Sequence, residues 1–247
     1  MAVYDIDGNR IDSSGGGSVQ LPYMSINHKG WTQNGAEANS LNAFKQSYAH
    51  GFRAVETDVR YSYDNIPVLS HDATYKNLTI DQTTYADLKT AGITSLEELV
   101  VYCKQTGLIP YLELKIDDSS LTDYAIDVVG KYGMMRDVVW ISAYKSAVKY
   151  VTTQCEYANV RMQGGNSTTP SSVSELATGK NIVGAYFTTA AAGTGINASV
   201  TIPIAEAGYV VGGYTYTSQS ANMLLDTERG ATEFTTDYTK AEDILSE

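Results

Sequence analysis

Eight short runs of apolar or β-branched residues, mostly separated by amphipathic stretches, constrain the fold of this chain more than any other feature. The intervening stretches, such as SLNAFKQSYAH and SLEELVVYCKQTG, have the spacing of helices with one apolar face. Alternating strands and helices in this number predict an α/β fold, a (β/α)₈ TIM barrel. An open, doubly wound sheet satisfies the same periodicity and is the alternative. The runs span residues 23–27, 53–60, 109–115, 137–142, 159–163, 182–187, 209–216 and 231–236.

The helix pattern is weakest after the sixth run, where AAAGTGINASVTIPIAEAG leaves room for only a short helix. Before the barrel, two alternating runs at residues 3–6 and 9–11 flank Asp7-Gly8, which is a hairpin signal. Three consecutive glycines within residues 13–18 then predict a flexible linker. We therefore expect an N-terminal hairpin and linker arm over residues 1–20 and one barrel domain over residues 21–247.

The net charge of the chain limits the classes of partner that it can bind. A net charge of -11 at neutral pH argues against nucleic acid or an anionic membrane surface, because both would be repelled. No stretch reaches the ~20 consecutive apolar residues of a membrane span, and the start MAVYDIDGNR lacks the pattern of a secretory signal. We expect a cytoplasmic or virion-associated location. Because the chain is acidic, a phosphate-bearing substrate would need local positive charge from a metal or a few lysines.

Carboxylates alternate with apolar residues in two of the predicted strands. Glu56 and Asp58 lie two apart in RAVETDVR, so a strand directs both to one face, and Val55 and Val59 suit packing against helices. Glu113 occupies the equivalent face in YLELK. Three inward carboxylates form an oxygen-only cluster that suits Mg²⁺ or Ca²⁺. The simpler alternative pairs Glu113 with Lys115 in the core, but it leaves Glu56 and Asp58 without a counter-charge.

Two of the three histidines lie near predicted strand ends. His28 follows the first strand, and His71 lies in NIPVLSHDATY beside Asp72. Imidazole gives and takes protons near neutral pH, and two histidines beside a divalent cation suit phosphodiester cleavage. His50 ends a predicted helix, and we assign it no catalytic role.

An ordered set of motifs over residues 25–240 resembles the glycerophosphodiester phosphodiesterase family. In order along the chain, the motifs of the family are His-Arg-Gly, Pro-Glu-Asn-Thr, Ala-Phe, Glu-x-Asp-Val, His-Asp, Ile-Pro-Thr-Leu-Glu-Glu, Glu-x-Lys and a late Thr-Asp-Tyr/Phe. The matching segments here are His28-Lys29-Gly30, Glu37-Ala38-Asn39-Ser40, Ala43-Phe44, Glu56-Thr57-Asp58-Val59, His71-Asp72, ITSLEELV, Glu113-Leu114-Lys115 and Thr236-Asp237-Tyr238.

The resemblance implies a TIM barrel with one divalent cation, Mg²⁺ or Ca²⁺, on a carboxylate trio and two acid–base histidines. It also implies a small insertion after the second strand, from residue 60 to about residue 93, that covers the site. A substrate hydroxyl next to the phosphate would attack first and give a cyclic phosphodiester that water opens. The implied roles are metal binding by Glu56, Asp58 and Glu113, acid–base catalysis by His28 and His71, and substrate binding by Lys29, Lys115 and Tyr214.

Three positions depart from the family pattern. Lys29 replaces an arginine and loses its bidentate fork, Ala38 replaces a glutamate close to the metal, and Tyr214 replaces a tryptophan of the pocket. We expect these changes to alter cation binding and the choice of substrate more than the class of reaction.

The predicted function is metal-dependent hydrolysis of a small-molecule or polymeric glycerophosphodiester, as in lipid metabolism. A phospholipase D-like or cyclising lyase on the same scaffold is the enzymatic alternative. The other alternative is a cell-wall, glycan-binding or phage-tail module of reduced activity, since the arm resembles a tether to a larger assembly and the chain holds 19 tyrosines. The sequence leaves the oligomeric state open.

Overall fold

The structure is a computed structural model that describes residues 3–4, 10–11, 23–189, 195–217, 220–238 and 240. In the arm, β1 (Val3–Tyr4) pairs antiparallel with β2 (Arg10–Ile11). The predicted linker at residues 13–18 lies outside the described residues.

The main sheet is the predicted barrel of eight parallel strands. Its strands follow the chain order around the ring, and pairing of the first strand with both the second and the eighth closes it. The closed ring decides against the doubly wound alternative. The strands are β3 (Met24–His28), β4 (Ala54–Tyr61), β8 (Ile109–Leu114), β9 (Val139–Ser142), β10 (Asn159–Gln163), β11 (Ile182–Thr188), β12 (Val210–Tyr216) and β13 (Glu233–Thr236).

Helices fill the connections and cover the outside of the ring. Polar caps start several of them: the Ser40 side chain accepts from the Ala43 backbone, and Ser95 and Glu98 form a capping box. The helices are α1 (Leu41–Ala49), α2 (Tyr85–Ala91), α3 (Leu96–Thr106), α4 (Ser119–Lys131), α5 (Lys145–Gln154), α6 (Pro170–Ser174), α7 (Ala198–Glu206) and α8 (Ser220–Glu228).

The shortest of these helices is not where the sequence pattern was weakest. The helix after the sixth barrel strand, α7, spans nine residues in spite of Pro203. By contrast, α6 has only five, because it follows a Gly-, Ser- and Thr-rich stretch of low helix propensity.

The insertion after β4 forms a small layer at one side of the barrel. In it, β5 (Pro67–Leu69) pairs antiparallel with β4, and β6 (Thr74–Tyr75) pairs with β7 (Leu78–Thr79). A 3₁₀ turn (Ile80–Gln82) and α2 then lead to α3. None of the helices in the described part of the chain combines the length and hydrophobicity that a membrane span requires.

The barrel buries apolar side chains on both faces of its strands. Val55 and Val59 pack between the ring and the helices, as the alternation in β4 predicted. Inside the ring, a smaller cluster that includes Ile26 and Tyr111 surrounds a buried ion pair between Arg161 and Glu233. The Glu233 carboxylate also accepts from the hydroxyls of Tyr111 and Tyr186, so this interior charge is fully hydrogen-bonded.

Candidate active site

Strand register brings the predicted acidic and basic side chains to the carboxyl ends of the first three barrel strands. His28, the last residue of β3, pairs in register with Glu56, and Asp58 pairs with Glu113 of β8. Side chains alternate between the two faces of a strand. The members of these pairs that point into the barrel therefore lie close to one another. This is the end of a TIM barrel where catalytic residues are found.

The three carboxylates form one cluster. Glu56, Asp58 and Glu113 each offer an oxygen, and these atoms lie within 4.8 Å of one another. Asp58 is fully buried, Glu56 is 4% exposed and Glu113 is half-buried. Burial raises the pKa of the Glu56 carboxyl well above its usual value, and the charges of Asp58 and Glu113 act in the same direction. The cluster therefore carries unfavourable negative charge that a cation would relieve.

Lys115 lies against two members of the trio. Its Nζ is 2.8 Å from Oε1 of Glu113 and 3.3 Å from Oδ1 of Asp58. Burial lowers the pKa of the Lys115 ammonium, but the contacts to Glu113 and Asp58 outweigh burial and hold that pKa above its usual value. The two interpretations of Glu113 offered by the sequence are thus both realised, since it pairs with Lys115 and belongs to the trio.

Asn39 holds the carboxylate of Asp58 from the other side. Its Nδ2 donates to Oδ2 of Asp58 at 3.0 Å, while its Oδ1 accepts from Thr57 Oγ1 at 2.6 Å. The backbone N–H of Asn39 donates to the carbonyl of Lys29. Asn39 lies in a recognised motif, but sequence reasoning missed its role, because contacts between a loop and a strand 18 residues away leave no local pattern.

The chemistry of the trio fits a hard divalent cation. All the candidate ligands are carboxylate oxygens, which Mg²⁺ and Ca²⁺ prefer. Oδ1 of Asp58 is buried and makes no hydrogen bond within the described residues. Its polar contact there is the ion pair with Lys115. An oxygen in that state is available as a ligand, and Glu56, Asp58 and Glu113 are the residues that would hold the ion.

His28 lies between a trio member and a further acid. Its Nδ1 is 2.9 Å from Oδ1 of Asp237, and its Nε2 is 3.9 Å from Oε2 of Glu56. A carboxylate accepts only from a protonated nitrogen, so Nδ1 carries the hydrogen when the ring is neutral and the Nε2 lone pair faces the trio. Sequence reasoning missed this role of Asp237, although the motif that contains it was recognised.

His71 lies in the insertion, two residues beyond β5, with half of its side chain exposed. Its Nδ1 is 2.8 Å from Oδ1 of Asp72, and Arg60 holds its backbone carbonyl through two N–H groups. Its side chain makes no hydrogen bond or ion pair with the trio, all of whose residues are described. His71 is thus placed by the insertion on the solvent side, whereas His28 contacts the acidic cluster directly.

Lys29 links the two histidine regions electrostatically. Its positive charge acts to lower the pKa of Glu56, but burial and the neighbouring carboxylates raise that pKa by more. The pKa of Asp72 is lowered mainly by the hydrogen bond with His71, and the charge of Lys29 contributes to the same shift. The Lys29 backbone N–H donates to the Glu56 carbonyl at 3.0 Å. Ala38, where the family has a glutamate, is exposed.

A small cavity at the mouth of the barrel joins these groups to Tyr214. His28, Glu56, Glu113 and Tyr214 all line it. The Tyr214 ring stacks against Tyr186, with ring centroids 6.5 Å apart, so it forms an aromatic wall opposite the acidic strands. Burial raises the pKa of the Tyr214 hydroxyl, and the charge of Glu113 adds to the effect.

Comparison with known sequences agrees with these motifs. Residues 28–116, which hold His28, His71, the trio and Lys115, match the sequence profile described as the Glycerophosphoryl diester phosphodiesterase family. This part of the chain is similar to that family. A curated relative, Probable glycerophosphodiester phosphodiesterase 2 of Mycobacterium tuberculosis, is 39% identical over 49 residues. That match spans 20% of this chain and 19% of the relative.

Solved structures of phosphodiesterases share the fold along nearly the whole chain. An Oleispira antarctica phosphodiesterase, solved with the product sn-glycerol-3-phosphate, has a TM-score of 0.77 and 20% identity, covering 91% of this chain and 97% of that one. A Parabacteroides distasonis glycerophosphodiester phosphodiesterase has a TM-score of 0.75 and 20% identity, covering 91% and 96%. At this identity the likeness establishes the barrel fold.

Proposed function

We propose that this chain belongs to the glycerophosphodiester phosphodiesterase family and is a phosphoric diester hydrolase that cleaves a glycerophosphodiester into an alcohol and glycerol phosphate. One observation carries the proposal: the barrel register gathers the Glu56, Asp58 and Glu113 carboxylates beside the free nitrogen of His28. An acidic trio next to an acid–base group suits phosphoryl chemistry better than a purely structural ion cluster. The product complex of the Oleispira antarctica relative supports glycerol phosphate as the product class.

The chain supplies two candidate acid–base groups to the proposed reaction centre. His28, oriented by Asp237, and His71, beside Asp72, serve as the proton-transfer pair. One accepts the proton of the substrate hydroxyl next to the phosphate as that oxygen attacks phosphorus. The other protonates the departing alcohol oxygen, and the same pair then activates water to open the cyclic phosphodiester. A divalent cation, when bound by the trio, neutralises charge that develops on the phosphoryl oxygens.

The remaining residues bind the substrate. Lys115, whose ammonium contacts the trio, and Lys29, whose charge acts on Glu56, would bind phosphate oxygens of the substrate. Tyr214 offers an apolar ring and a hydroxyl on the opposite wall of the cavity, where the glycerol moiety lies.

The test is turnover of a substrate panel by the full chain. Glycerophosphodiesters, lysophospholipids and poly(glycerol phosphate) are each assayed with and without a chelator. We expect cleavage of at least one glycerophosphodiester, lost with chelator and restored by Mg²⁺ or Ca²⁺. His28→Ala and His71→Ala should each lower kcat by about 10²–10⁴-fold, the usual contribution of a general acid or base.

His50→Ala is the matched control, because His50 is exposed and stacks on Trp31, outside the proposed site. Its kcat should equal that of the unchanged protein. Turnover by His71→Ala at the unchanged rate would remove His71 from the mechanism. Accumulation of a cyclic phosphate without later opening would identify the lyase alternative instead.

A further inference from the structure

Lys115 places its ammonium against two of the three carboxylates in the trio. Its ammonium contacts Oε1 of Glu113 at 2.8 Å and Oδ1 of Asp58 at 3.3 Å, and its side chain is only 18% exposed. It is the second residue after Glu113 on the same strand face, so its length returns the ammonium to the cluster rather than to solvent.

Asp58 has one carboxylate oxygen that makes no hydrogen bond within the described residues. Its Oδ2 accepts from Nδ2 of Asn39 at 3.0 Å, so Oδ1 is the atom that both Lys115 and a bound cation would use. Cations of this class lie at about 2.0–2.6 Å from carboxylate oxygens. A cation at that distance from Oδ1 would stand within a few ångströms of the Lys115 ammonium, where two positive charges repel strongly.

We propose that Lys115 is an internal counter-ion that competes with the divalent cation for Asp58 and Glu113. Without the cation, the ammonium partly compensates three clustered carboxylates and stabilises the site. Cation binding expels it from Oδ1 of Asp58, and the flexible stem then carries the ammonium toward the phosphate of the substrate. This inference rests on the proposed function, since it assigns how the same site is loaded.

If Lys115 competes with the cation, removing its positive charge should strengthen binding of the cation. The Lys115→Met variant keeps most of the length of the side chain and loses its charge. Calcium binding to the chelator-stripped full chain is measured by calorimetry at low ionic strength. The affinity should become at least about tenfold tighter, because the variant removes the repulsion between the ammonium and the calcium ion; a tenfold change corresponds to only a small part of the repulsion energy expected at this separation.

Two controls separate direct competition from a general effect of charge. Lys29→Met removes a charge that acts on Glu56 without contact to Asp58 or Glu113, and it should tighten calcium binding less than Lys115→Met does. Lys145→Met removes a lysine paired with Glu175 at the surface and should leave the calcium affinity unchanged. Equal gains in Lys29→Met and Lys115→Met, or no gain in Lys115→Met, would overturn the proposal.

Thermal unfolding gives a second readout. In chelator, Lys115→Met should melt below the unchanged protein, and added CaCl₂ should raise its Tm by more. If Lys115→Met does not fold in chelator, the affinity is measured on Lys115→Gln, which is neutral but still donates to Glu113. A chelated Lys115→Met or Lys115→Gln protein as stable as the unchanged chain would contradict the counter-ion role.

These measurements contain no substrate, so they fail separately from the proposed function. Cation-dependent turnover together with unchanged calcium affinity in Lys115→Met would overturn only the inference. Calcium binding that Lys115→Met tightens, in a protein that cleaves none of the substrate panel, would support the inference and overturn the proposed activity.

Discussion

At the scale of single residues, Asp237 determines which nitrogen of His28 faces the trio. The 2.9 Å contact with Nδ1 leaves Nε2 directed toward Glu56. An acid that holds an imidazole in this way also stabilises the imidazolium that forms during proton transfer. Asp237 is thus a positioning residue for the proposed reaction.

The Asp237→Asn variant should retain the fold and lose much of the activity. The amide keeps an oxygen that can accept from Nδ1 but loses the charge, and it can instead present its N–H₂ group to the ring. We expect kcat to fall about 10- to 100-fold, as for other residues that orient a reactive group, with KM changing little.

Asp123→Asn is the control for that measurement. Asp123 accepts from the Tyr150 hydroxyl at 2.8 Å on the outer helices α4 and α5. Its kcat should match that of the unchanged protein. An undiminished kcat in Asp237→Asn would mean that His28 needs no carboxylate to orient it.

Residue-scale patterns revealed the trio and the Glu113–Lys115 pair, but not the contacts that cross from one strand to another. A period of two in RAVETDVR and YLELK was enough to predict that Glu56, Asp58 and Glu113 share the inner face. The contacts of His28 with Asp237 and of Asp58 with Lys115 depend on strand register across the ring, which local periodicity does not contain. The assigned catalytic and binding roles stay predictions until the variants are assayed.

At the scale of elements, the turn between β3 and α1 connects the site to the first helix. Lys29 and Gly30 both have positive φ, at 56° and 82°. A Cβ on Gly30 would lie 2.7 Å from Cβ of Ala43 in α1, closer than real side-chain contacts. Glycine is therefore required both by the backbone and by the close approach of the helix.

Gly30→Ala should destabilise the protein by at least about 2 kcal/mol, since backbone strain and overpacking each cost about 1–3 kcal/mol. The free energy of unfolding in urea measures the effect. Gly35→Ala isolates the backbone part, because Gly35 has a φ of 85° and an added Cβ meets nothing within 4 Å. Equal losses in the two variants would show that α1 shifts readily to accept the methyl group.

At the scale of the whole molecule, a buried acid far from the site joins the last barrel segments. Asp226 of α8 is fully buried, and its carboxylate accepts from the Tyr216 hydroxyl at 2.8 Å and from the Ile196 backbone at 2.9 Å. Burial raises the pKa of Asp226, and it outweighs the opposing effects of these hydrogen bonds and of the Arg229 guanidinium 3.6 Å away. Its ionisation therefore opposes folding.

The sign of the pH effect follows from that shift. A raised pKa in the folded state means that Asp226 contributes stability below its unfolded value of about 3.9, and that this contribution is lost as pH rises through the folded value. Asp226→Asn cannot ionise and can accept only one of the two hydrogen bonds. We expect it to be less stable than the unchanged protein by about 1–3 kcal/mol near pH 4, with a smaller difference at pH 7.

Urea unfolding at both pH values tests this, with Asp127→Asn as a control because Asp127 is exposed on α4. The control should show little change in stability at either pH. A difference for Asp226→Asn that grows from pH 4 to pH 7 would show that the charged carboxylate is the more stabilising form.

The whole-molecule architecture was predictable because strand and helix periods are local properties. Eight alternations predicted the barrel, and its closure between β3 and β13 required only that the strands keep their order. The length of α6 and the solvent-side position of His71 were not predictable, because they depend on how loops pack after the ring has closed.

The β3–α1 turn also contains a natural optical probe. Trp31 stacks on His50 with ring centroids 3.9 Å apart, and its backbone N–H donates to Oγ of Ser47. The chain has only two tryptophans, and the other, Trp140, is completely buried. A soluble quencher would reach Trp31 first, so intrinsic fluorescence can follow this turn during ligand binding without any added label.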